Sequence, residues 1–281
     1  MQDLIREIRY RLGYSQEQLA SALGISPVSI SRWENGKAKP SVLAEKQIFE
    51  ICRDRQLDLA DFIVGRVKLN EEGLILYHAS RNGISGPVQP ISRSRCDFGR
   101  GFYMGTDPLQ PLTLVCNENH PVFYAVAFDT ADLKVLNVEV GLEWAMLIAF
   151  YRGYMDNAKE SPLYKKYAHM ADGVDVIAGY IADDRMYQVL TDFFEQRITD
   201  TALLGSLSAL KLGRQYAAIT QKACDRVSIR EEKRLSRLEL MILKEKSIVR
   251  RKEGLSIADR IVKEHRRDGK YFDEILGGET L

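Results

Sequence analysis

Asp97-Phe98-Gly99-Arg100-Gly101-Phe102-Tyr103-Met104 is the stretch whose reading decides the fold of most of this chain. The apolar run that closes it reads as a short strand over residues 101–105. One polar ring, Tyr103, interrupts it. Leu76-Tyr77-His78-Ala79-Ser80 has the same form, with His78 as the interruption, and Arg214-Gln215-Tyr216-Ala217-Ala218-Ile219 is a third short strand, opened by Gln215. Working outward, apolar strands are expected at 74–78, 101–105, 122–128 and 133–138, with Gly, Pro, Asn and Asp between them. A helical stretch follows over 141–171, then a strand at 174–179 and two helices within 185–211. Strands return at 214–220 and 226–229, and residues 230–253 and 256–267 read as charged amphipathic helices. No internal repeat or low-complexity tract is visible.

Before residue 65 the pattern is different. Leu4, Ile5, Ile8 and Leu12 recur at helical spacing, and Gly13 ends the run. Ser15 with Gln18 three residues on fits a capping box. Leu19, Ala22 and Leu23 continue the apolar face, and Gly24 closes that helix. Ser26 caps the next one, with Pro27 at its first position; Ile30 and Trp33 face inward, and Asn35-Gly36 ends it. Further helices are expected over 41–53 and 58–63. Residues 65–73 are polar and without period, so they read as a linker.

Bulk properties narrow the class. At 281 residues, 45% hydrophobic and 28% charged, the chain is long enough for two cores and is not disordered. No apolar stretch approaches a membrane span, and the charged start, Met1-Gln2-Asp3-Leu4-Ile5-Arg6-Glu7, is unlike a signal peptide, so a cytoplasmic location without membrane contact is expected. Cys52, Cys96, Cys116 and Cys224 are scattered, with neither zinc nor redox spacing; reduced structural thiols and no metal are expected. The net charge is +1, and residues 1–64 carry 9 basic and 9 acidic side chains. Residues 226–281 carry 15 against 11, which fits a solvated helix face.

The segments Ser15-Gln16-Glu17-Gln18-Leu19-Ala20, Leu23-Gly24-Ile25-Ser26 and Ser29-Ile30-Ser31-Arg32-Trp33-Glu34-Asn35-Gly36 resemble the phage-repressor type (Cro/C1-like, XRE) of helix-turn-helix. Leu19, Ile25, Ile30 and Trp33 supply its apolar seam, and Gly24 the left-handed turn. The resemblance implies DNA as partner. Ser26, Val28, Ser29 and Arg32 would face bases and Gln16 would bind phosphate, with Arg32 suited to guanine. Contact with protein instead of DNA is the other use of such a motif. A homodimer would strengthen DNA binding, because one small module buries little surface.

Residues 74 to about 229 resemble the diphtheria-toxin and poly(ADP-ribose) polymerase branch of ADP-ribosyltransferases. Tyr77-His78-Ala79-Ser80 is similar to its first strand motif, Gly99-Arg100-Gly101-Phe102-Tyr103 to its second, and Gln215-Tyr216 to its third, which normally begins with glutamate. The resemblance implies NAD as substrate, with His78, Tyr103 and Gln215 as catalytic residues and His78, Ala79, Ser80, Gly101 and Tyr103 around the ligand. His78 would donate to a ribose hydroxyl, Tyr103 would clamp the nicotinamide, and the Ala79 backbone would bind the carboxamide. Ala79 stands where that branch usually has glycine, and Gly99 and Gly101 would let the backbone approach the ligand. Arg81 and Arg100 are candidates for the pyrophosphate, with ordinary surface arginines as the default reading. At Gln215 the hydrogen bond to the ribose 2′-OH is kept and the charge is lost, which speaks against polymer elongation. The chain also resembles an uncharacterised bacterial family that shares the Asp-Phe-Gly-x-Gly-Phe-Tyr run and a Gly-x-x-x-Asp-Asp segment, here Gly179 to Asp184.

Taken singly, His78 is an ordinary core histidine, Tyr103 a packing residue and Gln215 uninformative, with Gln221 a rival; their order and context carry the resemblance. Asp183-Asp184-Arg185 reads as a helix-capping turn. The expected fold is α+β: a helical DNA-binding domain (1–64), a linker (65–73), a transferase-like split sheet with helical insertions (74–229) and a helical tail (230–281). The expected activity is NAD-dependent mono-ADP-ribosyl transfer to a protein or nucleic-acid acceptor, in a pairing that resembles bacterial toxin–antitoxin or phage-defence modules. A transcription regulator that binds NAD or a related nucleotide without turnover is the alternative, and an interaction scaffold with a decayed pocket the third reading.

Overall fold

The computed structural model describes residues 1–69, 71–182, 186–209, 213–265 and 268–278. The turn read at Asp183-Asp184-Arg185, and with it the end of the Gly179–Asp184 segment, lies outside them. The chain is α+β. Its helical start comprises α1 (Gln2–Arg11), α2 (Gln16–Leu23), α3 (Pro27–Glu34), α4 (Val42–Asp54) and α5 (Ala60–Gly65). Then come β1 (Ile75–Ser80), β2 (Phe102–Gly105), α6 (Leu109–Leu114), β3 (Val122–Phe128) and β4 (Val135–Asn137). They are followed by α7 (Leu142–Arg152), α8 (Pro162–His169), β5 (Val176–Tyr180), α9 (Met186–Phe194) and α10 (Asp200–Ala209). The chain closes with β6 (Arg214–Ala218), α11 (Gln221–Cys224), β7 (Val227–Arg234), α12 (Arg237–Glu264) and α13 (Phe272–Gly277).

Local chemistry explains the first helices. Ser15 and Gln18 form both bonds of the capping box, and Gly24 ends α2 at φ +65°, a conformation that costs a Cβ-bearing residue. Leu19, Ile25, Ile30 and Trp33 all join one core. Two expectations are corrected. Ala20 rather than Ala22 is buried in α2, and the Ser26 hydroxyl bonds Ser29 Oγ at 3.0 Å instead of capping α3.

The seven strands run in the order β4-β5-β6-β2-β1-β3-β7. Among the described residues only β4 and β5 are parallel neighbours. β1 pairs with β3 over its whole length but with β2 at the single pair Tyr77↔Gly105, so the two strands part beyond Tyr77. On one face, α7 to α10 and α13 cover the β5, β6 and β2 half, around Trp144, Phe193 and Phe98. The β1 and β3 half of that face, through Tyr77, Phe123 and Ala125, packs on α6, α12 and the N-terminal helices in one core. The other face is covered by the 81–101 loop and α11, with Leu76, Met104, Tyr124 and Val126 at its centre.

The charged segment read as helix from residue 230 is strand as far as Arg234, because it completes the ladder with β3 from Val122 to Phe128. Long-range pairing overrides local propensity there. The charges of β7 also discourage pairing at this sheet edge. The two helices expected after it are one, α12, which runs through Gly254. The helical stretch over 141–171 is interrupted at Gly153, φ +87°, where a Cβ would meet the Arg95 guanidinium 2.7 Å away.

Glu239, 2% exposed, joins α12 and the end of the N-terminal helices to the sheet edge. It caps α12 through Ser236 N–H at 2.8 Å and pairs with Lys233 at 3.0 Å, while Arg66 stands 3.7 Å away. Burial alone would raise its pKa, but Lys233 and the Ser236 hydrogen bonds outweigh it and hold the carboxyl below its ordinary value. Glu239→Ala removes the buried carboxylate shared by two half-buried cations, Lys233 and Arg66. The expected loss is about 3 kcal/mol of unfolding free energy in urea titration. A change under about 0.5 kcal/mol, the range of surface substitutions, would contradict this role.

Candidate functional site

The parting of β1 from β2 opens a cleft of about 580 Å³ on the face between the two helical layers. Its floor is Tyr77, His78, Ala79, Tyr103, Met104 and Gln215; α6 forms one wall through Gln110 and Pro111, and Arg152, Tyr154 and Tyr187 form the opposite one. His78, Tyr103 and Gln215 therefore line one cleft although they come from three strands. Strand alternation separates their side chains. Tyr103 and Gln215 lie on the face shared with Ala217, whereas His78 lies on the face of Phe102 and Tyr124.

His78 bridges the gap where the ladder stops. Its Nδ1 is 2.7 Å from the Tyr103 carbonyl oxygen, and its ring lies against that of Phe102, tilted by 31° with centroids 4.3 Å apart. A carbonyl only accepts, so Nδ1 carries the proton. Burial pushes the ring's pKa below the usual histidine value, against the opposing pull of that hydrogen bond. The neutral ring then presents Nε2 as an acceptor, which corrects the expectation of a histidine donor.

The Asp-Phe-Gly run folds over Tyr103 and Gln215. Phe98 N–H donates to the Tyr103 hydroxyl at 2.9 Å, and that hydroxyl donates to the Gly99 carbonyl at 2.7 Å. With both roles used, only the ring face of Tyr103 remains for a ligand. Burial, reinforced by Asp97, raises the pKa of this phenol. Phe98 is buried against Gly179, where a Cβ would lie 2.6 Å from its ring. Gly99 sits at φ +73° with Tyr151 where its Cβ would be, and a Cβ on Gly101 would stand 3.1 Å from the Ala218 carbonyl. These glycines serve packing within the protein rather than approach to a ligand. Ser80 and Gly101 line a second, smaller cavity of about 280 Å³, which His78 and Tyr103 also border.

Gln215 is 6% exposed; its Nε2 donates to Asp97 Oδ2 at 3.3 Å and to the Tyr180 carbonyl at 3.1 Å. Arg152 holds Asp97 Oδ1 at 2.7 Å and lies over the Tyr187 ring at 5.2 Å. Asp97 and Arg152 are site residues that sequence reasoning missed. Asp97 opens the motif that was read, so its position was a signal; Arg152 ends a helix and carries none. Among the described residues Arg93, Arg95 and Arg152 line the cleft, against a single acid, Asp97. Arg81, paired with Glu118 at 3.0 Å, and Arg100 border neither cavity. Gln221, the rival of Gln215, is tied to the Val88 carbonyl and Asp225 away from the cleft.

Residues 74–229 match the family described as protein of unknown function (DUF3990). The chain belongs to this family. Residues 5–44 match the helix-turn-helix family. No curated protein and no solved structure matches the chain. The cleft thus lies wholly within the DUF3990 region, and a DNA-binding helix-turn-helix precedes it. On that motif Val28, 65% exposed, and Ser26 and Arg32 point outward, while Ser29 is half-buried. Gln16 Nε2 donates to Glu34 Oε2 at 2.7 Å, which uses one of its two amide hydrogens and leaves the other for a phosphate. Among the described residues there is no cluster of His, Cys, Asp and Glu suited to a metal, and no helix is long and apolar enough to cross a membrane.

The lowered pKa of His78 makes stability depend on pH. Its contribution is fully present above the unfolded value of about 6.5 and is lost as pH falls towards the folded value. His78→Gln should therefore flatten the fall in melting temperature between pH 7.5 and 5.5. An unchanged slope in the variant would assign that dependence to other groups.

Proposed function

We propose that this chain is an NAD-dependent mono-ADP-ribosyltransferase that is carried to DNA by its helix-turn-helix. The observation that carries the reading is the convergence of His78, Tyr103 and Gln215 on the one cleft opened by the parting of β1 and β2. The chemistry of the lining suits the substrate. Arg93 and Arg95 favour an anionic pyrophosphate, Arg95 being also paired with Asp156 and Arg152 held by Asp97. His78 Nε2 and Gln215 Oε1 are acceptors for ribose hydroxyls, which donate. The ring face of Tyr103 offers a stacking surface for nicotinamide. In the reaction the C1′–N bond of NAD breaks and nicotinamide leaves with the bonding pair. The acceptor's lone pair forms the new C1′ bond, and its proton passes to solvent. The protein's part is to hold ring, ribose and acceptor in line.

Gln215 supplies a dipole where a carboxylate would supply charge, so turnover should be slow and confined to single transfer. The same neutrality favours a second reading, a regulator that binds NAD without cleaving it. The shared core of the DNA-binding helices and the sheet fits that reading as well.

Two experiments test the proposal. Millimolar NAD should raise the melting temperature, since a ligand bound only by the folded state stabilises it. Tyr103→Ala should remove most of the shift, and labelled NAD should release nicotinamide in the presence of cell lysate. A shift without release favours the regulator; neither, in folded protein, sinks both. On DNA, Arg32→Ala should weaken binding to the cognate site by about 1–3 kcal/mol if it reads guanine. Equal loss on cognate and random DNA would make Arg32 a phosphate contact instead.

A further inference from the structure

Position 215 is where the cleft departs from a charged site, and its surroundings explain the departure. Gln215 Nε2 faces two oxygens, Asp97 Oδ2 and the Tyr180 carbonyl. Turning the amide over would set its own oxygen against both, so the orientation is fixed by chemistry. Tyr180 O is held from the other side as well, by Trp144 Nε1 at 3.1 Å from the buried α7. Asp97 is itself clamped, with Arg152 Nε and Nη2 at 3.0 and 2.7 Å from Oδ1, which leaves Oδ2 for the amide. Gln215 Oε1 has no hydrogen-bond donor among the described residues and is the group left for a ligand.

We propose that Asp97, anchored by Arg152, is a positioning residue that orients the Gln215 amide so that Oε1 meets a ribose hydroxyl, and that it is the reason position 215 carries an amide. The proposal rests on the transferase reading above. A carboxylate at 215 would bring an oxygen without hydrogen against Asp97 Oδ2 and Tyr180 O. Two like charges at that distance cannot both ionise freely, and one takes up a proton. The amide offers two hydrogens to two acceptors and still keeps an acceptor for the ligand. The negative charge sits one residue deeper, on Asp97, and is balanced by Arg152. Asp97 acts through Gln215 and need not touch the substrate.

The test compares nicotinamide release by wild type, Asp97→Ala, Gln215→Glu and the double variant Asp97→Asn/Gln215→Glu, at limiting and saturating NAD. Asp97→Ala frees the amide to turn, so kcat should fall about tenfold or more while KM stays within about threefold. Gln215→Glu should also be slow, because its new carboxyl confronts Asp97. In the double variant an amide at 97 can accept from Arg152 and donate to the carboxylate at 215. It should run about tenfold faster than Gln215→Glu alone, a coupling that two independent structural defects would not produce. Melting temperatures identify any variant that fails to fold, and the double variant decides the matter if Asp97→Ala does. An active wild type with Asp97→Ala equally fast, or a double variant no faster than Gln215→Glu, overturns this role and leaves the transferase reading standing. A wild type that releases no nicotinamide, with or without lysate, overturns both.

Discussion

The hydrogen bond between His78 Nδ1 and the Tyr103 carbonyl spans the place where β1 and β2 separate. Beyond Tyr77 the two strands share no ladder pair, so residues 78–80 have no β2 partner. A sheet that opens in this way would leave polar backbone unpaired unless a side chain or a ligand filled the gap. The imidazole does part of this. It accepts no proton from the carbonyl, donates one to it, and lies against the ring of Phe102. Its position fixes how far apart the strands stand, and with that the width of the cleft above them. The loop at 97–99 closes the other side by locking the Tyr103 hydroxyl and, through Asp97, the Gln215 amide.

The DNA-binding helices are not loosely tethered to this sheet. Leu4, Leu19 and Ile48 share a core with Leu112 of α6 and with Leu238 and Ile242 of α12. The two residues of α6 before Leu112, Gln110 and Pro111, line the cleft. One short helix therefore touches both the helix-turn-helix core and the candidate ligand site. A ligand that binds better to one placement of α6 than another is thermodynamically linked to whatever the helix-turn-helix binds, and the linkage runs equally both ways.

What was legible in the sequence was mostly local. The Ser15 capping box, the Gly24 turn and the seam through Leu19, Ile25, Ile30 and Trp33 are set within a few residues, and each has its expected place. The strands bearing His78, Tyr103 and Gln215 were readable from short apolar runs, and β3 falls at 122–128 as expected. What was hidden depends on distant partners. Residues 230–234 look helical until β3 claims them as an edge strand. Arg152 gives no sign that it will meet Asp97, 55 residues earlier in the chain. Gln16 gives no sign in the sequence that buried Glu34 will take one of its two amide hydrogens. Gly99 and Gly101 read as positions of approach to a ligand, and the neighbours a Cβ would meet there are Tyr151 and the Ala218 carbonyl.

The most direct measurement is a crystal structure of the full chain with a carbocyclic NAD analogue, whose glycosidic position cannot be cleaved. The expected density places the nicotinamide ring on the face of Tyr103 and a ribose hydroxyl within hydrogen-bond distance of Gln215 Oε1, with the pyrophosphate towards Arg93 and Arg95. The Gln215 amide should keep its bond to Asp97. Analogue bound elsewhere on the chain, with the cleft between β1 and β2 filled only by water, would contradict the assignment of that cleft to NAD.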